Sequence, residues 1–181
     1  MLKNPIAIFS IRQRRTALII LAVLNIVIIV TMQAMGKSLK PYSIIAFEFA
    51  GNVDVAREMV LVWSRKGVMN VVLFLIGFDY AFMIAYSSFL GLACLHTAER
   101  IPGKFLNPMI VLALLQPVAA LLDAIENIAL YHMAEMSVNE IWPTIAFDCA
   151  IPKFAITALG FIVWVGGSIG LFIKNPGRVE K

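Results

Sequence analysis

Four apolar runs, each about 20 residues or longer, constrain the fold of this chain more than any other feature. A helix needs roughly 20 residues to cross a hydrocarbon core about 30 Å thick. With 61% hydrophobic residues among 181, the chain is also far more apolar than a soluble protein. The sequence therefore predicts an all-α integral membrane protein with one four-helix domain, residues 1–181, and transmembrane spans at about residues 16–35, 69–95, 108–133 and 149–173.

The distribution of basic residues predicts the orientation. Residues 1–15 carry four basic residues and no acid, and the loop at residues 99–104 and the tail from Lys174 are also basic, whereas residues 134–148 contain no Lys or Arg. Because Lys and Arg accumulate on the cytoplasmic side, we expect both termini in the cytoplasm and the chain in the plasma (inner) membrane. The net charge of +4 is small and the basic residues flank the apolar runs, so no nucleic-acid partner is expected.

The two outer loops contain helix signals. In the first loop, residues 42–49 are compatible with an extended segment, and Asn52 is placed to cap an amphipathic helix over about residues 52–66. This helix either lies on the outer membrane surface with Trp63 at headgroup depth or caps the bundle as a lid. In the second loop, Ser137 and Glu140 have the spacing of a capping box, which predicts a short interfacial turn before the fourth span.

Ionisable side chains inside the spans predict a functional site. Each costs about 2.5 to 3.5 kcal/mol on insertion scales and needs a partner. Asp79 and Asp123 each lie about ten residues, or roughly 15 Å, from the outer ends of their spans. Glu126 and Lys153 lie in the same half of the membrane. We expect these four residues to be catalytic: a carboxylic acid donates a proton, an ionised neighbour accepts one, and Lys153 stabilises negative charge.

Other polar residues share the helix faces or the outer side of this cluster. They are predicted to bind the ligand and are Glu48, Tyr86, Gln116, Asn127 and Thr157. The three carboxylates and the one lysine within the spans leave a net negative charge if all are ionised, so protons, water or a bound cation must compensate. The alternative is a structural polar network satisfied by Lys153 and Asn127. No metal or cofactor is expected, because Ca²⁺ takes about six to eight oxygen ligands and the histidines fall at opposite ends of the bundle.

The motif Phe47-Glu48-Phe49-Ala50-Gly51-Asn52, a helix ending at Trp63, Asp79 with Tyr86, the run Asp123-Ala124-Ile125-Glu126-Asn127, and Lys153 together resemble a family of small uncharacterised bacterial four-helix membrane proteins. The layout is also similar to the EXPERA membrane family, which includes sterol isomerases and sigma-2-type receptors. That resemblance rests on topology and on the acidic positions. It implies a sterol-sized or lipid-sized ligand near Asp79 and Asp123 or Glu126.

Three functions follow as hypotheses. The first is a multi-pass membrane protein whose outer-leaflet site binds a lipid-like or cationic small molecule, with acid/base chemistry in an enzyme version. The second is an accessory subunit of a larger membrane complex, which forms homo- or hetero-oligomers through the small residues Gly166 to Gly170 of the fourth span. The third, proton or cation translocation, has a thin set of polar groups toward the inner face. Membrane lipids are the expected partners of the first.

Overall fold

The computed structural model describes residues 10–100, 106–136 and 139–174, and all its regular elements are helices. They are α1 (Ile11–Gly36), a 3₁₀ turn (Lys37–Leu39), α2 (Ile44–Glu48), α3 (Val53–Arg65), α4 (Met69–Ala98), α5 (Leu106–Ala134) and α6 (Ile141–Lys174). Several sequence-based predictions involve residues outside the described ranges: the basic residues Lys104, Arg178 and Lys181, and the capping motif at Ser137.

Four helices are long and apolar enough to cross a membrane, as the four apolar runs predicted. They are α1, α4, α5 and α6, with 26 to 34 residues each. At about 1.5 Å per residue, each is at least as long as a hydrocarbon core is thick. The predicted cytoplasmic position of both termini stays a prediction.

Helix α6 begins at Ile141, eight residues before the predicted start of the fourth span at 149, so the expected interfacial turn is wrong at this point. The side chain of Asn139 accepts a hydrogen bond from the Ile141 amide (3.1 Å), which replaces the missing intrahelical partner. Pro143 lies in the first turn, where its missing N–H leaves no partner unsatisfied. Pro152, predicted near the start of the span, therefore lies inside the helix.

The segment before α3 is helical, so the prediction of an extended stretch is wrong there. Ser43 caps α2, because its hydroxyl accepts a hydrogen bond from the Ala46 amide (3.1 Å). The helix turns Phe47 and Glu48 into the protein, where both are buried. This short helix is what brings Glu48 to the intramembrane cluster.

Helix α3 is confirmed as a capped helix, with the Asn52 side chain accepting from the Val55 amide (2.9 Å). Its Trp63 is fully buried, donates Nε1–H to the Leu39 carbonyl (2.8 Å) and meets Phe47 edge to face at 5.1 Å. Trp63 therefore packs inside the protein, and its depth in the membrane stays a prediction. The structure agrees with the other prediction, in which α3 covers one end of the bundle, called here the capped end.

Helices α4, α5 and α6 form the packed centre, because α5 contacts both of its neighbours extensively, whereas α1 packs mainly on α4. At the end opposite the capped end, buried Arg14 of α1 forms an ion pair with Glu99, at the end of α4. Gly91 allows α4 to approach α5 closely, since a Cβ there would lie 3.4 Å from the Ala113 carbonyl. In an unbroken helix this carbonyl would accept a hydrogen bond from the backbone N–H of residue 117, and Pro117 has no N–H. The arrangement leaves a cavity beside α4, with α1 and α6 on either side.

Candidate ligand site at the acidic cluster

Lys153 of α6 is the centre of the polar cluster. Its Nζ donates to Asp123 Oδ1 at 2.8 Å and to Glu126 Oε1 at 2.7 Å, and all three side chains are buried. Asp123 and Glu126 reach the same ammonium because residues three apart lie on one side of a helix. A third carboxylate oxygen, Glu48 Oε2, lies 3.6 Å from Nζ. Lys153 thus contacts two of the other residues predicted to be catalytic, and Glu48 of α2, predicted to bind the ligand, lies next to it.

Helix α4 contributes two polar side chains to the same cluster. The Tyr86 hydroxyl donates to Asp123 Oδ2 at 2.9 Å. Asn127 Nδ2 donates to Asp79 Oδ2 at 2.7 Å. Asp79 and Tyr86 are seven residues apart, or about two helical turns, so both face α5. Asp79 is therefore held by a neutral amide donor, whereas Asp123 is held by an ammonium and a hydroxyl.

A cavity of about 660 Å³ lies against this cluster. Its polar lining includes Glu48, Asp79, Tyr86, Asp123, Lys153 and Thr157. The apolar walls come from all sides, and they include Ile29 and Met32 of α1, Ile45 of α2, Phe82 of α4 and Phe154 of α6. The lining is therefore apolar along the walls and mainly acidic on one face, called here the acidic floor.

Three of the predicted site residues do not line the cavity: Glu126, Asn127 and Gln116. Glu126 and Asn127 are almost completely buried and hold Lys153 and Asp79 in place from behind. Gln116 lies two turns away from Asp123, where its Nε2 donates to the carbonyls of Leu112 (3.2 Å) and Ile156 (3.4 Å). Gln116 therefore serves the contact between α5 and α6 in this structure.

Thr157 lines the cavity as a partly buried residue, and its hydroxyl donates to the Lys153 carbonyl at 2.8 Å. This bond within α6 is the usual one for a threonine four residues after its acceptor. The hydroxyl oxygen keeps acceptor capacity because a hydroxyl has two lone pairs. Thr157 is thus available to a ligand as an acceptor.

Two buried carboxylate oxygens have no hydrogen-bond partner within the described residues: Glu48 Oε2 and Glu126 Oε2. Unpaired buried polar atoms are uncommon in native proteins and call for an explanation. Burial raises the pKa of the Glu48 carboxyl above its ordinary value; nearby Lys153 opposes this effect, and the charge of Asp123 adds to it. The site therefore holds more carboxyl groups than its one ammonium can neutralise.

The sequence reasoning missed the rim of the cavity. Lys37 and Lys40, in the turn after α1, line the cavity and are exposed, and Tyr42 lies beside them. Lys66 holds this turn, because its Nζ donates to the carbonyls of Ser38 (2.9 Å) and Lys40 (2.6 Å). The available signal was the position of two lysines directly after an apolar span, which marks the membrane interface.

Among residues 10–100, 106–136 and 139–174, no group of three or more His, Cys, Asp or Glu side chains is arranged to hold a metal ion. The chain matches no family model, no curated protein and no solved structure. The resemblances to a bacterial four-helix family and to the EXPERA family therefore stay predictions. The geometry of the acidic floor and its cavity is what supports a function.

Proposed function

We propose that the protein binds a lipid-like or cationic small molecule in the cavity beside α4. In this proposal the site lies in the outer-leaflet half of the plasma (inner) membrane, and both termini are cytoplasmic. The observation that carries it is a cavity of about 660 Å³ with apolar walls, whose floor presents Glu48, Asp79 and Asp123. Ligand sites in proteins commonly have volumes of about 300 to 1,000 Å³ and combine apolar walls with a few polar groups.

The walls and the floor have different roles in this proposal. Burial of an apolar tail against Ile29, Met32 and Phe154 contributes about 25 cal/mol for each Å² removed from water. In a membrane that gain is small, because lipid tails are already apolar. Selectivity therefore falls to the acidic floor, which distinguishes a ligand with a complementary polar group from ordinary acyl chains.

The same floor contains the groups needed for proton transfer. Asp79 lines the cavity, and its carboxyl is held by the amide of Asn127 rather than by an ammonium. It is the best placed acid or base in an enzyme version of this proposal. Lys153 gives two hydrogen bonds to carboxylates and stabilises negative charge on the floor, and Glu126 positions Lys153 from behind.

The proposal is tested by native mass spectrometry of the protein purified from membranes in a mild detergent. Ile45 lines the cavity and is 59% exposed, so Ile45→Trp fills the cavity without disturbing the core. Ile84→Trp is the matched control, because Ile84 is 62% exposed and does not line the cavity. We expect a bound lipid-sized molecule on the parent and on the control, and its loss from Ile45→Trp.

A second pair of variants tests the acidic floor. Asp79→Asn removes one of the ionisable groups that line the cavity, whereas Asp148→Asn removes an exposed carboxylate that does not line it. We expect less bound molecule with Asp79→Asn and no change with Asp148→Asn. Equal occupancy in all four variants, each with native helix content, would show that the bound molecule lies elsewhere.

The alternative is an accessory subunit that contacts a partner through α6. It is supported by an open surface, since a Cβ added at Gly166 or at Gly170 would meet no atom within 4 Å. Small residues allow close approach of a second transmembrane helix. Under this alternative, Gly166→Leu would separate the protein from a partner or a second copy in gentle detergent extracts, and occupancy of the cavity would not change.

A further inference from the structure

We infer that the ligand is an amphiphile with a positively charged head group, which binds at Glu48 and Asp79 in exchange for a proton. This inference rests on the proposed function, because it names the chemistry of the molecule that occupies the cavity. It also assigns different tasks to the carboxyl groups of the cluster.

The first argument is the balance of charge. Three carboxyl groups, those of Glu48, Asp123 and Glu126, lie within 4 Å of the Lys153 ammonium, and the carboxyl of Asp79 lines the same cavity. A fully ionised set would carry an excess of negative charge, and burial of uncompensated charge costs several kcal/mol per ion. Protons or a cation must therefore supply the balance.

The second argument is how the ammonium is shared. Lys153 Nζ donates to Asp123 and Glu126 at 2.8 and 2.7 Å, whereas Glu48 Oε2 at 3.6 Å lies beyond hydrogen-bond distance. Within the described residues, the Asp79 carboxyl accepts a hydrogen bond from the neutral amide of Asn127 and from no ammonium. The two carboxyls that the ammonium does not bond are Glu48 and Asp79, and both line the cavity.

The third argument is the burial of Glu48. Its side chain is 9% exposed, and Oε2 has no hydrogen-bond partner in the described part of the chain. This oxygen lies 3.6 Å from Lys153 Nζ, which attracts it without donating a hydrogen bond, so the loss of its hydration is only partly offset. A cationic head group in the cavity can compensate the charge of Asp79 directly and that of the buried Glu48 oxygen through space. Without such a group, a proton on one of the two carboxyls fulfils the same requirement.

The other charged and titratable groups around these two carboxyls come from every neighbouring element. They are Lys37, Lys40 and Tyr42 at the rim, Tyr80 and Tyr86 on α4, Asp123 and Glu126 on α5, and Cys149 and Lys153 on α6. The rim lysines are exposed, so water and salt weaken their effect on the two carboxyls, and they repel a small cation from the aqueous side only at short range. An amphiphile that arrives through the lipid does not pass them first, which favours an amphiphile over a soluble cation.

The exchange is balanced in atoms and charge. The head group keeps its single positive charge, one protonated carboxyl of the pair loses its proton to water, and the resulting carboxylate contacts the head group. No covalent bond to the ligand forms or breaks. Binding of the ligand and release of the proton are therefore linked, and each depends on the other.

The experiment uses two probes of equal chain length and the full protein in lipid nanodiscs. Tetradecyltrimethylammonium has a charge that does not change with pH, whereas tetradecanol is neutral. Binding of each radiolabelled probe is measured from about pH 5.5 to about pH 8.5, and partition into protein-free nanodiscs is subtracted. Because the charge of neither probe changes in this range, a pH dependence that remains originates in the protein.

We expect the ammonium probe to bind up to about tenfold more tightly for each pH unit over the range in which the carboxyl pair exchanges its proton. Tetradecanol is expected to bind with an affinity that changes little with pH. Asp79→Asn should flatten the dependence for the ammonium probe and keep the binding of tetradecanol, which shows that the cavity is intact. Asp148→Asn should retain the full dependence.

Each of the other outcomes would overturn one part of the inference. If both probes bind and the affinity for the ammonium probe does not depend on pH, proton exchange is wrong and the proposed binding function stands. If tetradecanol binds more tightly than the ammonium probe at every pH, the cationic head group is wrong. If neither probe binds above protein-free nanodiscs, this inference fails, and the mass spectrometry of Ile45→Trp and Ile84→Trp decides whether the proposed function fails with it.

Discussion

Replacement of Lys153 by methionine is the perturbation that the cluster should tolerate least. The lysine ammonium donates to Asp123 and Glu126 at 2.8 and 2.7 Å, and the three side chains are 7%, 3% and 0% exposed. Methionine keeps most of the apolar stem and removes the charge. The substitution therefore leaves two buried carboxyls without their cation and creates little cavity.

Removal of one partner from a buried ion pair typically costs about 3 to 5 kcal/mol. We expect about 3 kcal/mol here, at the lower end, because the remaining carboxyls can bind protons from the solvent. For a chain of this length, 1 kcal/mol shifts the melting temperature by about 2 to 4 °C. Lys153→Met should therefore lower the melting temperature by roughly 6 to 12 °C.

Thermal unfolding can be followed with a thiol-reactive dye, since Cys94 is fully buried and reacts only when the bundle opens. The partly buried Cys149 is replaced by alanine in every variant to leave a single reporter. Lys37→Met is the matched control, because Lys37 is exposed and lies at the rim. A melting temperature for Lys153→Met equal to that of the control would refute the view that Lys153 holds the cluster together.

Three further changes have expected results that thermal unfolding can check. Gly160→Ala should lower the free energy of unfolding by about 1 to 2 kcal/mol, because the new Cβ would lie 2.4 Å from buried Gln116 Nε2 and displace that amide from its hydrogen bonds. Gly166→Ala is the control and should be neutral, because a Cβ there meets no atom within 4 Å. Trp63→Phe should lower the free energy of unfolding by about 1 to 2 kcal/mol, because it removes the hydrogen bond from the indole N–H to the Leu39 carbonyl in the turn after α1. An unchanged melting temperature would show that this hydrogen bond does not stabilise the fold. Because the pKa of Glu48 is raised in the folded protein, the contribution of this carboxyl to stability becomes less favourable as pH rises above the ordinary carboxyl pKa. Glu48→Gln should therefore raise the melting temperature at neutral pH and lose this advantage in acid. The opposite trend would show that the ionised form stabilises the fold.

The spans and the meeting of the charged side chains were predictable because lipid restricts a chain more severely than water does. A carboxylate such as Asp123 within an apolar run needs a partner, and antiparallel spans of similar length bring groups at equal depth together. The same reasoning placed Lys153 beside Asp123 and Glu126, which the structure confirms. The cap at Asn52 was predictable because it depends on three neighbouring residues only.

The remaining features depend on which helix surfaces meet, and the sequence of a single chain does not specify this. Gln116 shares a helix face with Asp123, but its side chain is buried in the contact between α5 and α6 and does not line the cavity. Glu126 faces Lys153 and is shielded from the cavity by the same packing. The start of α6 depends on the Asn139 side chain, which accepts a hydrogen bond from the Ile141 amide and so allows a helix where the neighbouring residues indicated a turn.

The most direct test of the central claim is an electron density map of the protein extracted together with its native lipids. The account predicts elongated density in the cavity between α1 and α6, with one end within hydrogen-bond distance of Asp79 or Glu48. Density that ends away from both carboxyls would contradict the role of the acidic floor. A closed contact between α1 and α6, with no density between them, would contradict the binding function itself.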